Sequence, residues 1–346
     1  MAKLSMSLPI TDKHSLRQMR APKKFAEMRV TSGSTGDPLY VYYSKKATDA
    51  FINRTVLSLK KSGVSKKDTV LNLFAYGNYI PGSMYERGCL AMGVAIMPLG
   101  APNTYSKEKI IEAVCEVKPN VWFGVPSYCV TLIDILVKSR KTAYLPKKVV
   151  VAGERLLEVY IKKFKKHGIV LENHFGLTEC PAIGVSKRGR PDIIEIINKG
   201  IYTEAIKEGN YTYFIVTDLL NSATPIVRYK TGDLISNVIT NRNGSVKEMS
   251  VVGRSDDLVK IQGILVSKTK IINTVSHYTN KFIVYIKTQK NRDCVDIVLP
   301  QDCRKCESRL DTLLSEVKRK TYIYKKDVVV PQTISFKNRH IIDLRK

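Results

Sequence analysis

The sequence has little that would set it in a membrane or staple it covalently. Across 346 residues, no apolar run approaches the roughly 18 residues that a bilayer span needs. The opening Met-Ala-Lys-Leu-Ser-Met-Ser-Leu-Pro-Ile holds too short an apolar stretch for a secretory leader. Residue 2 is Ala and the end is Asp-Leu-Arg-Lys, so the lipidation motifs are missing. Cysteines number seven and are scattered. An odd, dispersed set disfavours a disulfide framework and points to a reducing cytoplasm. Cys303-Arg304-Lys305-Cys306 has no second pair at zinc-site spacing, so a place on a helix explains it better than a metal does. There is no Walker A run and no Ser/His/Asp hydrolase signature. Internal repeats and low-complexity segments are missing too.

Negative charge is scarce as well. Asp and Glu total 31 against 57 Lys and Arg, for a net charge of +26. Such a field favours anionic partners such as nucleotides, coenzyme A or an acidic carrier protein. The basic residues are mostly lysines spread along the chain, without an Arg-rich tract or an RNA-binding signature. A specific nucleic-acid partner is therefore not expected, and a solvated lysine surface accounts for much of the excess.

What is present supports a sizeable core: 44% of residues are hydrophobic, over a length that suits two domains. Strand and helix signals alternate from residue 39 to 172. Strands are predicted at 39–43, 70–74, 94–97, 120–125, 148–153 and 169–172. Helices are predicted at 47–62, 83–92, 106–117, 127–138 and 154–166. The alternation argues α/β with a mostly parallel sheet. From about residue 200, short strands and turns such as Asn241-Arg242-Asn243-Gly244 suggest an antiparallel subdomain. Beyond Gly263 the order helix 267–276, strands 281–287 and 294–299, helix 304–319 and strand 327–335 describes a small α+β domain. The boundary falls at Gly253–Asp257, giving a large domain over 1–253 and a small one over 254–346.

Residues 31–38, Thr-Ser-Gly-Ser-Thr-Gly-Asp-Pro, carry the sharpest chemical signal. Glycines let a backbone come close to a ligand, and consecutive N–H groups with Ser and Thr hydroxyls make an anion cradle suited to a polyphosphate. Four more clusters follow: Asn173-His174-Phe175-Gly176-Leu177-Thr178-Glu179, Arg228-Tyr229-Lys230-Thr231-Gly232-Asp233, Gly253-Arg254-Ser255-Asp256-Asp257, and Phe336-Lys337-Asn338-Arg339-His340.

In order and spacing this set resembles the adenylate-forming superfamily, and most of all its phenylacetate–CoA ligase branch. Gly-Arg-Ser-Asp-Asp at 253–257, Lys118-Pro119-Asn120-Val121, Gly124-Val125-Pro126-Ser127-Tyr128 and Ala75-Tyr76-Gly77 carry the closer likeness. The resemblance covers about residues 8–346. It implies a large domain with parallel-rich sheets flanked by helices plus an antiparallel part, then a small mobile α+β domain. It also implies two half-reactions. A carboxylic acid and ATP with Mg2+ give an acyl-adenylate and pyrophosphate, and a thiol, usually that of coenzyme A, then displaces AMP.

By the same resemblance, Thr31, Ser32, Gly33, Ser34, Thr35 and Gly36 would cradle the β- and γ-phosphates. Thr178 and Glu179 would serve the α-phosphate, with Glu179 as the Mg2+ ligand. Gly153, Glu154, Asn173, His174 and Phe175 would border the adenine, Gly176 would also belong to the nucleotide site, Asp233 would accept from the ribose hydroxyls, and Arg254 would reach the ribose or phosphate. Lys337 is the candidate catalytic lysine, although Phe336 stands where the family has Gly. Asp256 matches the hinge and Gly263 the thiol tunnel. Tyr76, Gly77, Ser127 and Tyr128 would line the acid pocket, suiting an aryl or arylacetic acid or another small flat acid. His174 has a second reading as a buried, hydrogen-bonded core histidine. Only about 30 residues precede the phosphate loop, so an abbreviated first subdomain is expected, with a partner subunit or dimer as one way to complete it. Two alternatives stay open: an adenylating enzyme that loads the phosphopantetheine of an acidic carrier protein or an amine, and an inactive nucleotide-binding relative.

Overall fold

The computed structural model describes residues 8–31, 38–101, 105–255, 258–261, 264–289, 292–315, 317–318, 320–330 and 340–344. The chain divides into two compact units, Met1–Arg155 with Phe164–Val252, and Leu156–Lys163 with Gly253–Lys346.

The first unit opens with an antiparallel ribbon of β1 (Glu27–Val30) and β2 (Tyr40–Tyr43). An 11-stranded sheet follows. Its first strands are β3 (Thr69–Asn72), β4 (Ala95–Pro98), β5 (Val121–Gly124), β6 (Lys148–Val151) and β7 (Val170–Phe175). They continue with β8 (Gly184–Lys187), β9 (Arg190–Ile196), β10 (Ile201–Glu208), β11 (Tyr211–Asp218), β12 (Ile226–Thr240) and β13 (Val246–Arg254). The spatial order is β10-β11-β12-β13-β9-β8-β7-β6-β5-β3-β4.

The β4-β3-β5-β6-β7 half is parallel throughout. Its central strands read as continuous apolar runs, Val-Trp-Phe-Gly in β5 with every residue buried. A strand covered on both faces has that pattern. From β7 onward the pairing turns antiparallel. The antiparallel part expected from residue 200 thus starts earlier and continues the same sheet.

Helix positions follow their caps. Ser44 accepts from the Ala47 N–H ahead of the helix Lys45–Lys61, and Ser106 does the same for Lys107–Val117. Each hydroxyl satisfies an N–H that the first turn leaves open. Lys45–Lys61 buries Ala47, Phe51, Arg54, Thr55, Ser58 and Leu59, a single stripe at helical spacing. The predicted helix 83–92 begins three residues sooner, at Ile80, with Pro81 in its first turn, where a missing N–H costs nothing. The predicted helix 154–166 is shorter, Glu158–Lys166, because Gly153 takes φ +74° and turns the chain first.

The second unit holds a ribbon, β14 (Leu258–Ile261) with β15 (Ile264–Ser267). Its four-stranded sheet consists of β16 (Ile283–Gln289), β17 (Arg292–Pro300), β18 (Lys320–Lys325) and β19 (Ile341–Asp343), in the order β18-β17-β16-β19. Ile271, Phe282, Ile286, Ile297, Leu299 and Leu310 belong to its core. Two expectations fail here. The helix predicted over 304–319 is a 3-10 turn at Arg304–Cys306 and a helix of only Glu307–Leu313. The strand predicted at 327–335 is not formed over 327–330, and 331–335 lie outside the described residues. The chain must break the helix to bring Lys-Thr-Tyr-Ile-Tyr-Lys alongside β17 as the parallel strand β18. That pairing is long-range, and helical periodicity does not announce it.

Candidate active site at the carboxyl ends of the parallel strands

The chain makes β3, passes outward to β4, then returns to the other side of β3 to make β5, β6 and β7. Connections therefore leave β3 and β5 in opposite directions. In an open parallel sheet, such a reversal leaves a crevice beyond the carboxyl ends of the strands. The register places Asn72 beside Phe123, Gly124 beside Val151 and Val151 beside Asn173. The strands therefore end nearly level. Tyr76 and Gly77 follow β3, Ser127 and Tyr128 follow β5, Gly153 and Glu154 follow β6, and Gly176, Thr178 and Glu179 follow β7.

Each of these turns is fixed by a specific bond. After β3, the buried Asn72 amide donates to the Tyr76 hydroxyl and to the Gly82 carbonyl, each at 2.9 Å. Arg29 of β1 donates to the Gly77 carbonyl at 2.6 Å and to Ser83 Oγ at 2.9 Å. After β6, Glu154 Oε2 accepts from the Ser127 N–H at 3.0 Å, a carboxylate at the positive start of the helix Pro126–Lys138. The hydroxyls of Ser127 and Tyr128 are buried, with no hydrogen-bond partner among the described residues. Burial pushes the Tyr128 phenol up to about 12.

After β7 the turn is tightest. Leu177 N–H donates to the Cys180 carbonyl at 3.0 Å, and Ile183 N–H to the Phe175 carbonyl at 2.9 Å. A Cβ on Gly176 would sit 2.8 Å from the Ala182 nitrogen, so only glycine lets the two arms close. Ala182 itself stands at φ +53°, a strained conformation for a residue with a Cβ. Glu179 is 8% exposed, and its Oε1 accepts from the Tyr229 hydroxyl of β12 at 2.8 Å. Tyr43 of β2 donates to the Thr178 carbonyl. Burial first, and the nearby Glu179 carboxylate second, hold the Tyr43 phenol far above its ordinary range, so it is a dependable donor.

Among the described residues, Tyr76, Gly77, Ser127, Tyr128, Gly153, Glu154, Gly176, Thr178 and Glu179 all follow strands at the same end of the sheet. Thr31 pairs with Leu39, its N–H on the Leu39 carbonyl at 3.0 Å and its Oγ1 accepting from Leu39 N–H at 3.1 Å. The strand leaving that pair, β2, reaches Thr178 through Tyr43. Phe175 packs edge-on to Phe214 of β11 at 5.6 Å. The Phe214 carbonyl accepts from Thr231 Oγ1 at 3.1 Å, and the buried Asp233 donates its N–H to the same Oγ1 at 3.0 Å. Asn173 is tied through its side chain to the Pro191 carbonyl at 3.0 Å.

His174 falls to its second reading. Its Nε2 lies 2.8 Å from Ser62 Oγ and its Nδ1 3.0 Å from the Tyr85 hydroxyl. Both ring nitrogens are engaged within the core, and burial lowers the imidazole to about 3. It is a neutral core histidine, and the expectation that it borders a nucleotide is corrected. Arg254 ends β13 in the second unit. Ser32, Gly33, Ser34, Thr35, Gly36, Asp256, Gly263 and Lys337 lie outside the described residues.

Several site residues escaped the sequence reading: Arg29, Tyr43, Arg54, Asn72 and Tyr229. Two had a signal. Asn72 interrupts the apolar run Val-Leu-Asn-Leu-Phe, and Arg54 occupies a core-facing position of an amphipathic helix. Tyr229 stood inside the cluster Arg228–Asp233 without being given a role, and nothing local marked Tyr43.

A family model described as AMP-binding enzyme matches residues 6–198. The phenylacetate-coenzyme A ligase of Escherichia coli (strain K12) is 26% identical over 285 residues, covering 76% of this chain and 64% of that protein. Its namesake in Pseudomonas putida is 24% identical over 347 residues, covering 91% and 77%. The chain thus spans 64% of the length of the Escherichia coli relative. Among solved structures, 2-hydroxyisobutyryl-CoA ligase in the postadenylation state in complex with 2-HIB-AMP superposes with a TM-score of 0.80 at 17% identity, covering 97% of this chain and 80% of that one. ATP-bound MatB from Rhodopseudomonas palustris gives 0.65 at 17% identity, with 90% and 66% covered. At such identities these likenesses establish a shared fold.

Proposed function

The chain belongs to the AMP-binding enzyme family, and from that premise we propose that it activates a carboxylic acid with ATP and transfers the acyl group to coenzyme A. The acid's carboxylate oxygen attacks the α-phosphorus, and the bond to the bridging oxygen of pyrophosphate breaks. The thiol of coenzyme A then attacks the acyl carbon, and AMP leaves. A bare carboxylate repels nucleophiles, and esterification to AMP supplies the leaving group. The enzyme's task is to hold two anions together and to stabilise charge as it develops.

One observation carries this reading. Four parallel strands end level at a topological reversal, and the acid-pocket candidates and Glu179 all lie just beyond those ends. In this reading the acid rests between the turns after β3 and β5, where Tyr128 and Ser127 offer buried hydroxyls. The nucleotide lies toward β6, β7 and Asp233, whose two-oxygen acceptor suits ribose hydroxyls. Lys337 would lie between carboxylate and α-phosphate, Asp256 would be the hinge and Gly263 would line the thiol's path.

The donor set suits magnesium. Glu179 presents a buried carboxylate, a hard oxygen ligand. Among the described residues no group of three or more His, Cys, Asp or Glu could cage a metal. A cation held by one carboxylate and by substrate phosphates is how Mg2+ is usually bound. Bound with ATP, it would neutralise phosphate charge.

The net charge of +26 favours a second acceptor, the phosphopantetheine of an acidic carrier protein. Exchange of labelled pyrophosphate into ATP, run with the full chain over a panel of aryl, arylacetic and short aliphatic acids, tests the first half-reaction. Acid-dependent exchange is expected. ATP binding without exchange for any acid would leave only the inactive nucleotide-binding relative. Offering coenzyme A and a carrier protein to the adenylate then separates the acceptors.

A further inference from the structure

The turn Thr178–Pro181 is held from four directions, and each hold comes from a different part of the first unit. Tyr43 of β2 grips the Thr178 carbonyl. Arg54, fully buried, donates from Nε and Nη2 to the Pro181 carbonyl at 3.2 and 3.1 Å, and from Nη1 to the Lys199 carbonyl at 3.1 Å. Asp218 of β11 faces the same guanidinium at 3.4 Å and accepts from the Cys180 thiol at 3.9 Å. The fourth hold, Tyr229 on Glu179 Oε1, is the one made to the carboxylate itself.

Tyr229 is in turn unable to drift. Thr11 lies beside it in a parallel bridge. Thr11 N–H donates to the Arg228 carbonyl at 3.1 Å, Lys230 N–H donates to the Thr11 carbonyl at 2.8 Å, and Thr11 Oγ1 donates to the Val227 carbonyl at 2.7 Å. Arg228 stands at φ +43°. Its guanidinium is fastened to Glu204 at 3.0 Å and to the Leu8 carbonyl at 2.6 Å. A strained residue persists only when its surroundings over-determine it. Here the surroundings deliver a rigid hydroxyl to one oxygen of a buried carboxylate.

We propose that Tyr229 is a positioning residue: its hydroxyl fixes the plane of the Glu179 carboxylate so that this side chain meets a nucleotide-bound divalent cation without reorganising. The proposal rests on the reading of Glu179 as the cation's ligand. A side-chain carboxylate otherwise rotates about its last torsion. A hydrogen bond from a clamped phenol restricts that freedom before any ligand arrives, which is how outer partners usually tune a metal ligand.

The test uses Mn2+ with the full chain and a non-hydrolysable ATP analogue, with bound Mn2+ measured by EPR. Tyr229→Phe should weaken Mn2+ binding to the enzyme–nucleotide complex by about 10-fold, at the low end of what loss of such a partner costs. Nucleotide affinity without metal should not change. Tyr43→Phe, which loosens only the backbone of the turn, should cost less in Mn2+ and more in melting temperature. Glu179→Gln separates the two layers of inference. If Glu179→Gln loses Mn2+ while Tyr229→Phe keeps it, the positioning role is wrong and the ligand reading stands. If Glu179→Gln also binds Mn2+ normally, both fall.

Discussion

The turn after β7 and the helix entrance after β5 lie at the same end of one sheet, yet they are built in opposite ways. Around Glu179, the surrounding hydroxyls, carbonyls and a guanidinium are matched to one another, and the backbone is strained to keep them so. At Ser127 and Tyr128, two buried hydroxyls have no partner among the described residues. An unsatisfied buried hydroxyl costs about 1–3 kcal/mol, and the proposed acid would supply these two with a partner. The contrast teaches which turn is internally satisfied and which leaves polar atoms open. On the proposed reading, the groups that would meet phosphate and cation are locked in advance, whereas those that would meet the acid are left open.

The contrast breaks most visibly at Arg54. Its side chain and that of Asp218 are 0% and 2% exposed. Arg54→Met should destabilise the first unit by about 3–5 kcal/mol, because Asp218 is left as an uncompensated buried charge. Chemical denaturation measures this, and Arg54→Met with Asp218→Leu should regain much of the loss. A single variant as stable as the parent would mean that the preset side is not held from Arg54.

His174 sharpens the same comparison through pH. Unfolded, an imidazole gains its proton near pH 6.5, whereas here burial delays protonation to about 3. Between those values the unfolded chain binds the extra proton. Stability therefore falls as pH drops below 6.5 and is fully present above it. By pH 5 the loss is roughly 2 kcal/mol. His174→Gln should remove about one proton's worth of slope from stability plotted against pH between 6 and 4. An unchanged slope would count against a neutral, buried His174.

The smallest effect is expected on the open side. Tyr128→Phe deletes a buried hydroxyl that lacks a partner, so stability without ligand should stay level or rise by up to about 1 kcal/mol. Acid preference should shift toward less polar acids in pyrophosphate exchange. A clear loss of stability would show that the hydroxyl is satisfied within the protein after all.

Much of the fold was legible because its signals are local. The apolar spacing of 47–62 and 106–117 predicted helices that form at Lys45–Lys61 and Lys107–Val117, and the run 120–125 predicted the strand β5. The failures cluster where a long-range pairing overrode periodicity. Helix 304–319 stops at Leu313 because the chain must return to form β18. At the site, the glycine, hydroxyl and acid clusters stood out as motifs, since their chemistry is written in residue type. Tyr43 and Arg54 did not, and Tyr229 stood in a motif without a role, because a buried tyrosine or arginine takes its meaning from the atom opposite it.

Sequence alone settled the alternation of strand and helix, the chemical character of the clusters and the family likeness, all of which depend on neighbours within a few residues. Tertiary structure decided which turns meet. The reversal between β3 and β5, the four holds on the Glu179 turn and the enclosure of His174 join residues from 43 to 229. Chain connectivity cannot specify such contacts until hydrophobic burial has closed the sheet and its covering helices around them.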